Sequence, residues 1–334
     1  MAPSSDSWLP HSKDFEQWLE LTENTSIQDL IDQTLLSPLQ EFLSRPSKNF
    51  RSSLVELSYQ LVGQEEVSAD TLLEAMRILE AIHAASLVVD DIQDNSELRR
   101  GKPTLHRTHG MPVALNSANW LYFWPLEKIH HLKLSQEKQV RILRACHKAL
   151  IKAHSGQALD VGVSMCQVPQ SRVRDICLAS LELKTGALTA LAMEVGAILA
   201  GAQAIEEQQI SRFGSDFGVA LQMFDDLGNV SQIKGEDPKR FEDLRGQRPS
   251  WIWASAANQL SNSDYEKFVT VVRCLPDEAP LTEYLKSADW LKNAKKEGQL
   301  FLEGSLNRFL QQPWKSEAIH GLNRLAEKLK GAYE

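Results

Sequence analysis

The sequence contains few cysteines and no closely spaced pair of them. Its 334 residues include four, Cys146, Cys166, Cys177 and Cys274, which form neither a CxxC motif nor a regular framework. Small disulfide-stapled proteins depend on such a framework, so the chain does not fit that class. The pattern is typical of a reducing compartment, in which the thiols are buried or inert.

An excess of positive charge is also missing. The formal net charge is −8 and the isoelectric point is near 5.7. A nucleic-acid-binding domain usually carries a basic surface, so we expect no nucleic-acid partner. Any anionic ligand must instead be held by local basic groups or by a metal ion.

Long hydrophobic runs are equally scarce. The longest, Ala187 to Ala202, is interrupted by Glu194 and is too short to span a bilayer comfortably. We interpret it as a buried core helix. The polar start of the chain lacks the basic and apolar regions of a signal peptide. We therefore expect a cytoplasmic protein without a transmembrane segment.

No stretch shows the period-two alternation of a β-strand, whereas helical periodicity recurs throughout. Long amphipathic stretches cover roughly 69–96, 136–163 and 206–230. No linker or low-complexity tract divides the chain. The sequence therefore predicts an all-α fold: one helical-bundle domain over residues 25–334, preceded by a loose arm at residues 1–24.

The strongest pattern lies between His83 and Gly110. Asp90, Asp91 and Asp94 form a DDxxD motif at the end of an apolar helical run, so their carboxylates and His83 share one face. Crowded like charges disfavour ionisation unless a hard cation such as Mg²⁺ lies among them. A solvated helix face is the commoner explanation of a single motif of this kind.

A second motif favours the functional interpretation. Asp225, Asp226 and Asn229 repeat the same spacing, and Gln222 lies on the same helix face. If the two faces oppose each other across a helical bundle, they enclose room for a pyrophosphate bridged by several Mg²⁺ ions. Replacing Asp91 with alanine is then expected to abolish turnover and leave the fold intact.

Basic side chains accompany both motifs. The candidates for binding phosphate oxygens are Lys48, Arg51, Arg99, Arg100, Lys184, Lys239 and Arg248. Each alone is more often a surface residue, but Lys184 lies in an otherwise apolar helix, where a buried lysine needs an anion. The small residues Ala84, Ala85 and Ser86 beside the first motif leave room for a hydrocarbon tail. These features suit ionisation of an allylic diphosphate in a water-excluding pocket.

These residues resemble those of the trans-isoprenyl diphosphate synthases, most closely the geranylgeranyl diphosphate synthases of eukaryotic type. The resemblance extends from about Lys48 to Trp251. It is carried by HAASLVVDDIQDNSELRRGKP, NSANWLYFWPLEK, HSGQALD, KTG and QMFDDLGN. It implies an all-α fold around a central cavity, a homodimer, and coupling of isopentenyl diphosphate to an allylic prenyl diphosphate.

The resemblance also implies a role for each matched residue. The expected ligands of Mg²⁺, with three ions bound, are Asp90, Asp91, Asp94, Asp225, Asp226 and Asn229. The residues expected to bind isopentenyl diphosphate are Lys48, Arg51, His83 and Arg100. Those expected around the ionising allylic diphosphate are Arg99, Lys184, Thr185, Gln222 and Lys239. Tyr122, Phe123 and His154 are expected to form the floor of the pocket. This floor would stop chain elongation and give a C20 product.

The chain departs from the family pattern at three places. Ser47 replaces a glycine, Gln247 stands where a lysine is expected, and VGVSMC follows HSGQALD in place of aromatic and charged residues. Arg248 is a candidate to replace the missing cation.

Three hypotheses follow from these observations. Retention of Lys48, Arg51, His83 and Arg100 favours a coupling enzyme, because only coupling needs a second diphosphate. A terpene cyclase acting on one prenyl diphosphate is the alternative, since the aromatic stretch Trp120–Trp124 could stabilise a carbocation. A non-catalytic regulatory subunit ranks last, because both acidic motifs are intact.

Overall fold

The computed structural model describes Leu9 and residues 25–46, 50–230 and 240–331. The chain divides into two compact units. The N-terminal unit comprises residues up to 53 together with 67–139, and the C-terminal unit comprises 54–66 together with the residues from 140 onward. Apart from Leu9, the arm at residues 1–24 lies outside the described residues. The single domain around a central cavity stays a prediction.

The described part of the N-terminal unit is largely helical. Its α-helices are α1 (Thr25–Ile31), α2 (Ser37–Leu43), α3 (Phe50–Val62), α4 (Ala69–Gln93), α5 (Leu105–His109) and α6 (Met111–His130), and a π turn (Asp32–Leu36) joins α1 to α2. Helix α3 continues into the C-terminal unit after Ser53. Two antiparallel two-residue strands, β1 (Leu98–Arg99) and β2 (Lys102–Pro103), form a hairpin after α4.

Helix α4 positions the first acidic motif. It begins after Ser68, whose side-chain oxygen accepts the Thr71 backbone N–H at 3.2 Å. Ala75, Ile78 and Ile82 are buried at helical spacing, and α4 packs against α6. The buried face therefore fixes the helix, and the acids lie in its last turn.

The C-terminal unit is also helical. Its helices are α7 (Gln136–Gly162, with its first four residues in the other unit), α8 (Gln170–Leu181), α9 (Ala187–Leu199), α10 (Ala204–Val230), α11 (Glu242–Arg245), α12 (Trp251–Gln259), α13 (Asn262–Val272), α14 (Ala279–Lys286), α15 (Trp290–Leu310) and α16 (Ser316–Gly331). A π turn, Glu182–Gly186, joins α8 to α9 without a break.

Helices α9 and α10 form the centre of this unit. Leu191, Val195 and Ile198 on α9 are buried, as the sequence predicts for a core helix. Residues 170–199 are long and apolar enough to cross a membrane by length and composition, and 56% of the window that satisfies this test is buried inside the protein. Buried core helices satisfy the same test, and the absence of a transmembrane segment stays a prediction.

The all-α prediction is confirmed. Among the described residues, the hairpin of β1 and β2 is the departure from it. These strands are too short for period-two alternation to be visible in the sequence. Their turn is marked instead by Arg100 and Gly101, both with positive φ (56° and 76°).

Candidate active site

The end of α4 holds an acid–arginine cluster. Arg99 donates to Asp91 Oδ1 through Nε at 2.7 Å, and its Nη2 lies 2.5 Å from the same oxygen and 3.6 Å from Asp90 Oδ2. The side chain of Asp91 is only 1% exposed. A guanidinium in contact with a buried carboxylate through two nitrogens is a strong, oriented ion pair. Asp91 therefore orients Arg99, while Asp90 and Asp94 are only half-buried.

Arg100 belongs to a second, cationic cluster with Arg51 and His83. Burial, with help from Arg51, Arg100 and Arg99, lowers the pKa of His83 well below its usual value, so the imidazole is neutral near pH 7. Burial lowers the pKa of Arg51 to about 10, opposed by Glu80 and assisted by Arg100. The buried Nε of Arg51 has no hydrogen-bond partner among the described residues. Cations that repel one another around a buried donor fit an anionic ligand.

The second acidic motif, at the end of α10, is anchored differently. Asp226 Oδ1 accepts from Gln222 Nε2 at 2.8 Å, and Oδ2 accepts from the Trp251 backbone N–H at 2.6 Å. Thr185 Oγ1 donates to Gln222 Oε1 at 2.9 Å. This chain of hydrogen bonds ties the acidic turn to the π turn and to the start of α12. Both oxygens of Asp226 are thus engaged by the protein, whereas Asp225 is exposed.

Asn229 and Asp243 extend this motif. Asn229 Nδ2 donates to Asp243 Oδ2 at 3.3 Å. Burial and the neighbouring Asp160 raise the pKa of Asp243 to about 7, with Lys184 opposing. Burial, followed by Asp243, raises the pKa of Asp226 well above its usual value. The acids therefore disfavour one another's charge, and a bound cation would relieve that repulsion.

Lys184 faces a carboxylate. Its Nζ donates to Asp160 Oδ2 at 2.8 Å, and Arg248 Nη1 lies 3.8 Å from the same oxygen. The side chain of Lys184 is 33% exposed, so the sequence-based view of a buried lysine is wrong. The π turn that carries Lys184 interrupts the apolar helix and places the residue at its edge. Asp160 therefore orients both cations, and Lys184 also offsets the negative charge of Asp243.

Gly156 on α7 allows this approach. A Cβ at this position would lie 2.5 Å from the Lys184 backbone nitrogen and 2.8 Å from the Leu183 carbonyl carbon. Only glycine lets α7 come so close to the π turn. The glycine therefore brings Asp160, one helical turn further along α7, beside Lys184.

The residues expected to set chain length lie in different surroundings. Ala85 is fully buried on α4, and Ser86 donates to the His83 carbonyl at 2.7 Å. Tyr122 is half-buried, and burial followed by Asp90 raises its pKa. Phe123, by contrast, is 71% exposed, and His154 is exposed with Nδ1 2.9 Å from the Leu150 carbonyl oxygen. A ring exposed in this way cannot by itself close a pocket.

Some predicted residues cannot be placed. Lys48, Lys239 and the departure at Ser47 lie outside the described residues.

Gln247 stands where a lysine was expected. Its side-chain oxygen accepts a short hydrogen bond from Ser164, and its backbone carbonyl accepts the Met165 N–H at 2.9 Å. It therefore fastens the loop before α12 to the end of α7, and Arg248 is the cation that faces Asp160.

Two residues of these clusters escaped the sequence reasoning: Asp160 and Asp243. Asp160 had a visible signal, since it closes the HSGQALD motif. Asp243 lies in a charged loop that looks solvated in the sequence, and only its burial beside Asn229 and Asp160 brings it into the site.

The described residues contain no group of three histidine, cysteine, aspartate or glutamate side chains placed to hold a metal ion by themselves. Mg²⁺ takes only one or two carboxylates in many sites and fills its remaining positions with water and phosphate oxygens. The oxygens at the two acidic helix ends are hard donors of this kind, so they fit Mg²⁺ with a phosphate ligand. Whether the two faces oppose each other stays a prediction.

Comparisons with known proteins identify the family of this chain and agree with its fold. The sequence model of the polyprenyl synthetase family matches residues 32–282. Geranylgeranyl pyrophosphate synthase of Dictyostelium discoideum is 30% identical over 277 residues, which is 80% of this chain and 85% of that protein. Short chain isoprenyl diphosphate synthase of Methanothermobacter thermautotrophicus is 28% identical over 250 residues, 74% of each chain. The chain therefore belongs to the polyprenyl synthetase family, and it is an enzyme of the trans-isoprenyl diphosphate synthase class.

A solved structure supports the fold assignment. Geranylgeranyl pyrophosphate synthase from Corynebacterium glutamicum, complexed with isoprenyl diphosphate and magnesium, matches with a TM-score of 0.77 at 21% identity and 96% coverage of both chains. At this identity the likeness establishes the all-α fold.

Proposed function

We propose that the enzyme couples isopentenyl diphosphate to an allylic prenyl diphosphate and releases geranylgeranyl diphosphate. In this reaction the allylic C–O bond breaks and diphosphate leaves with the bonding electrons. The double bond of isopentenyl diphosphate then forms the new C–C bond, and loss of a proton completes the product. The name of the Dictyostelium discoideum relative supports the C20 product, and that of the archaeal relative leaves other short chains open.

The observation that carries the proposal is the separation of two adjacent arginines. Arg99 is held by Asp91 at the acidic end of α4, whereas Arg100 lies in the cationic cluster with Arg51 and His83. Coupling needs two diphosphates in different places, one that leaves and one that stays. An acidic cluster suits the diphosphate that arrives with metal, and a cationic cluster suits the one held directly.

The residues beside the second acidic motif support departure of the leaving group. The carboxylate of Asp160 orients both Lys184 and Arg248, whose nitrogens lie 2.8 Å and 3.8 Å from Oδ2. Charge develops on a diphosphate as its C–O bond breaks, and preorganised cations stabilise that charge most. The hydrogen bonds from Thr185 to Gln222 and from Gln222 to Asp226 connect the π turn to the acidic turn.

Magnesium is the cation that this donor set fits. Asp90, Asp91 and Asp94 would hold it at the end of α4, where the Arg99 contacts to Asp91 use Oδ1. Asp225 and Asn229 would hold it at the end of α10, where Gln222 and the Trp251 N–H engage both oxygens of Asp226. When bound, Mg²⁺ would neutralise the negative charge of the diphosphate. Three ions, as the family resemblance implies, are proposed. The residues themselves orient the substrate and keep Arg99 and Lys184 in place.

A product assay tests this function. The enzyme is incubated with Mg²⁺, labelled isopentenyl diphosphate and, in separate reactions, dimethylallyl, geranyl or farnesyl diphosphate. A labelled C20 diphosphate from farnesyl diphosphate is expected. Absence of any coupled product, or a hydrocarbon formed from geranylgeranyl diphosphate alone, would overturn the proposal, the second in favour of a cyclase.

We also propose a cytoplasmic homodimer. Large apolar side chains are exposed on two helices, Leu115 and Phe123 on α6 and Ile151 and Val161 on α7. Exposed apolar residues on helices favour burial against a second copy. Sedimentation analysis of the parent enzyme and of Ile151→Glu tests this, since a dimer should dissociate when a charge enters its interface.

A further inference from the structure

Arg45 is a buried arginine that the coupling reaction does not explain. It lies just after α2 in the N-terminal unit and is 3% exposed. Its Nε and Nη2 donate to the Glu41 carboxylate at 2.7 to 3.2 Å. Its guanidinium also lies 5.1 Å from the centre of the Phe42 ring. A buried arginine is stable only when its donors and charge are satisfied, and Glu41 supplies both.

Arg45 also donates hydrogen bonds to the backbone of the hairpin. Nη1 donates to the Arg99 carbonyl at 3.3 Å, and Nη2 donates to the Pro103 carbonyl at 2.8 Å. The carbonyl of Arg45 in turn accepts from Arg100 Nη1 at 3.4 Å. Every guanidinium nitrogen of Arg45 is thus used within the protein. Arg45 is therefore placed to hold structure and not to contact a substrate.

The hairpin needs such a hold because its turn is strained. Arg100 has a φ of 56°, a left-handed conformation that side chains other than those of glycine, asparagine and aspartate seldom adopt. With Gly101 at 76°, it forms the tight two-residue turn between β1 and β2. Because of this conformation the two neighbouring arginines have different partners. Arg99 contacts Asp91, whereas Arg100 lies in the cationic cluster. Strain of this kind persists only where surrounding contacts enforce it.

Contacts from Thr104 fix the base of the hairpin. Thr104 donates through its backbone N–H to the Glu97 carbonyl at 3.0 Å and through Oγ1 to the Ser96 carbonyl at 2.8 Å. Lys102 reaches Glu41 at 3.2 Å, but its side chain is 53% exposed, so that ion pair is weak. Arg45 is buried and donates to the backbone on both sides of the turn, to Arg99 before it and to Pro103 after it.

We infer that Arg45, held by Glu41, is a positioning residue that sets Arg99 and Arg100 for their two diphosphates at once. The inference rests on the proposed coupling function. Loss of Arg45 should loosen the turn and weaken binding at both places together. Loss of Arg99 or Arg100 alone should weaken chiefly the binding of the diphosphate at that arginine's own site.

The test compares Arg45→Met, Arg45→Lys and Arg77→Met. Methionine keeps length and removes every donor, and Arg77 is the matched control because it pairs with Glu74 on α4 away from the hairpin. Arg45→Met should raise the KM of both diphosphate substrates about tenfold or more, with a smaller change in kcat. Arg45→Lys should lie between it and the parent, and Arg77→Met should match the parent. A rise confined to one substrate, or to kcat, would contradict the inference.

A binding measurement separates this inference from the coupling function. Calorimetric titration with inorganic diphosphate and Mg²⁺ should show at least tenfold weaker binding to Arg45→Met than to the parent, and this result supports the inference even if no C20 product forms. Glu41→Gln removes the ionic hold on Arg45 at a half-exposed position and serves if Arg45→Met does not fold. It should weaken diphosphate binding severalfold. Parent-like affinity in folded Arg45→Met, or in Glu41→Gln when the former is unfolded, overturns the inference.

Discussion

Lys184 and Arg248 approach the same oxygen of Asp160, at 2.8 Å and 3.8 Å. Asp160→Asn keeps the shape of this side chain and removes its charge, so Lys184 loses its fixed orientation. We expect kcat to fall by about tenfold to a hundredfold, because small displacements of a positioning group cost this much. Steady-state kinetics measure the change. Asp264→Asn, which breaks the exposed pair with Lys267, is the control and should leave kcat unchanged.

Gly156→Ala should damage the same cluster through sterics alone. The added methyl group would meet the backbone of Leu183 and Lys184 at 2.5 to 2.8 Å, so α7 and the π turn must separate. We expect a lower melting temperature and a loss of activity comparable to that of Asp160→Asn. Gly162→Ala, in the same helix with no atom near the added carbon, should be tolerated. Equal behaviour of the two variants would show that the close approach is unimportant.

Asp91→Asn is expected to lower both activity and stability. The sequence alone suggested that Asp91→Ala would spare the fold, but the structure buries this carboxylate against Arg99. Removing one partner of a buried ion pair typically costs about 3 kcal/mol, because the other charge is left uncompensated. Urea unfolding should show this decrease together with a fall in turnover of two orders of magnitude or more. If the variant retained turnover, the acidic end of α4 would not take part in the reaction.

His83 should make stability depend on pH in a defined direction. Its pKa in the folded protein lies well below the usual value near 6.5 because of burial and of Arg51, Arg100 and Arg99. The unfolded chain therefore binds an extra proton below about pH 6.5, and stability falls as the pH decreases through that range.

His83→Gln removes this proton uptake. The free energy of unfolding of the variant should fall less steeply than that of the parent between pH 7 and pH 5. Urea titrations at several pH values measure the slopes. Identical slopes would mean that His83 protonates as readily in the folded protein as in the unfolded chain.

Tyr122→Ala should lengthen the product if the prenyl chain grows toward α6. Tyr122 is half-buried and close enough to Asp90 for the acid to raise its pKa. Phe123→Ala is the informative comparison, because the Phe123 ring is exposed within one chain. Product chromatography should show longer chains from Tyr122→Ala. A change with Phe123→Ala would indicate that a second copy of the chain covers the ring.

Much of the fold could be predicted because helical order is local. The end of α4 and the end of α10 follow from apolar residues at helical spacing, and an aspartate at each end follows from counting along that spacing. The hairpin was missed because two-residue strands carry no periodicity. The π turn Glu182–Gly186 could not be predicted, since one widened turn leaves no pattern in the sequence.

The sequence by itself determined the family, the all-α class and the types of residue gathered at each acidic helix end. Only the tertiary structure decided which partner each of those residues takes. Asp226 bonds to a backbone N–H 25 residues away, and Arg45 to a carbonyl 54 residues away. Periodicity along one helix fixes the face on which a side chain lies. The hydrogen-bond partners across such separations depend on how helices pack, and packing is fixed by burial summed over the whole core.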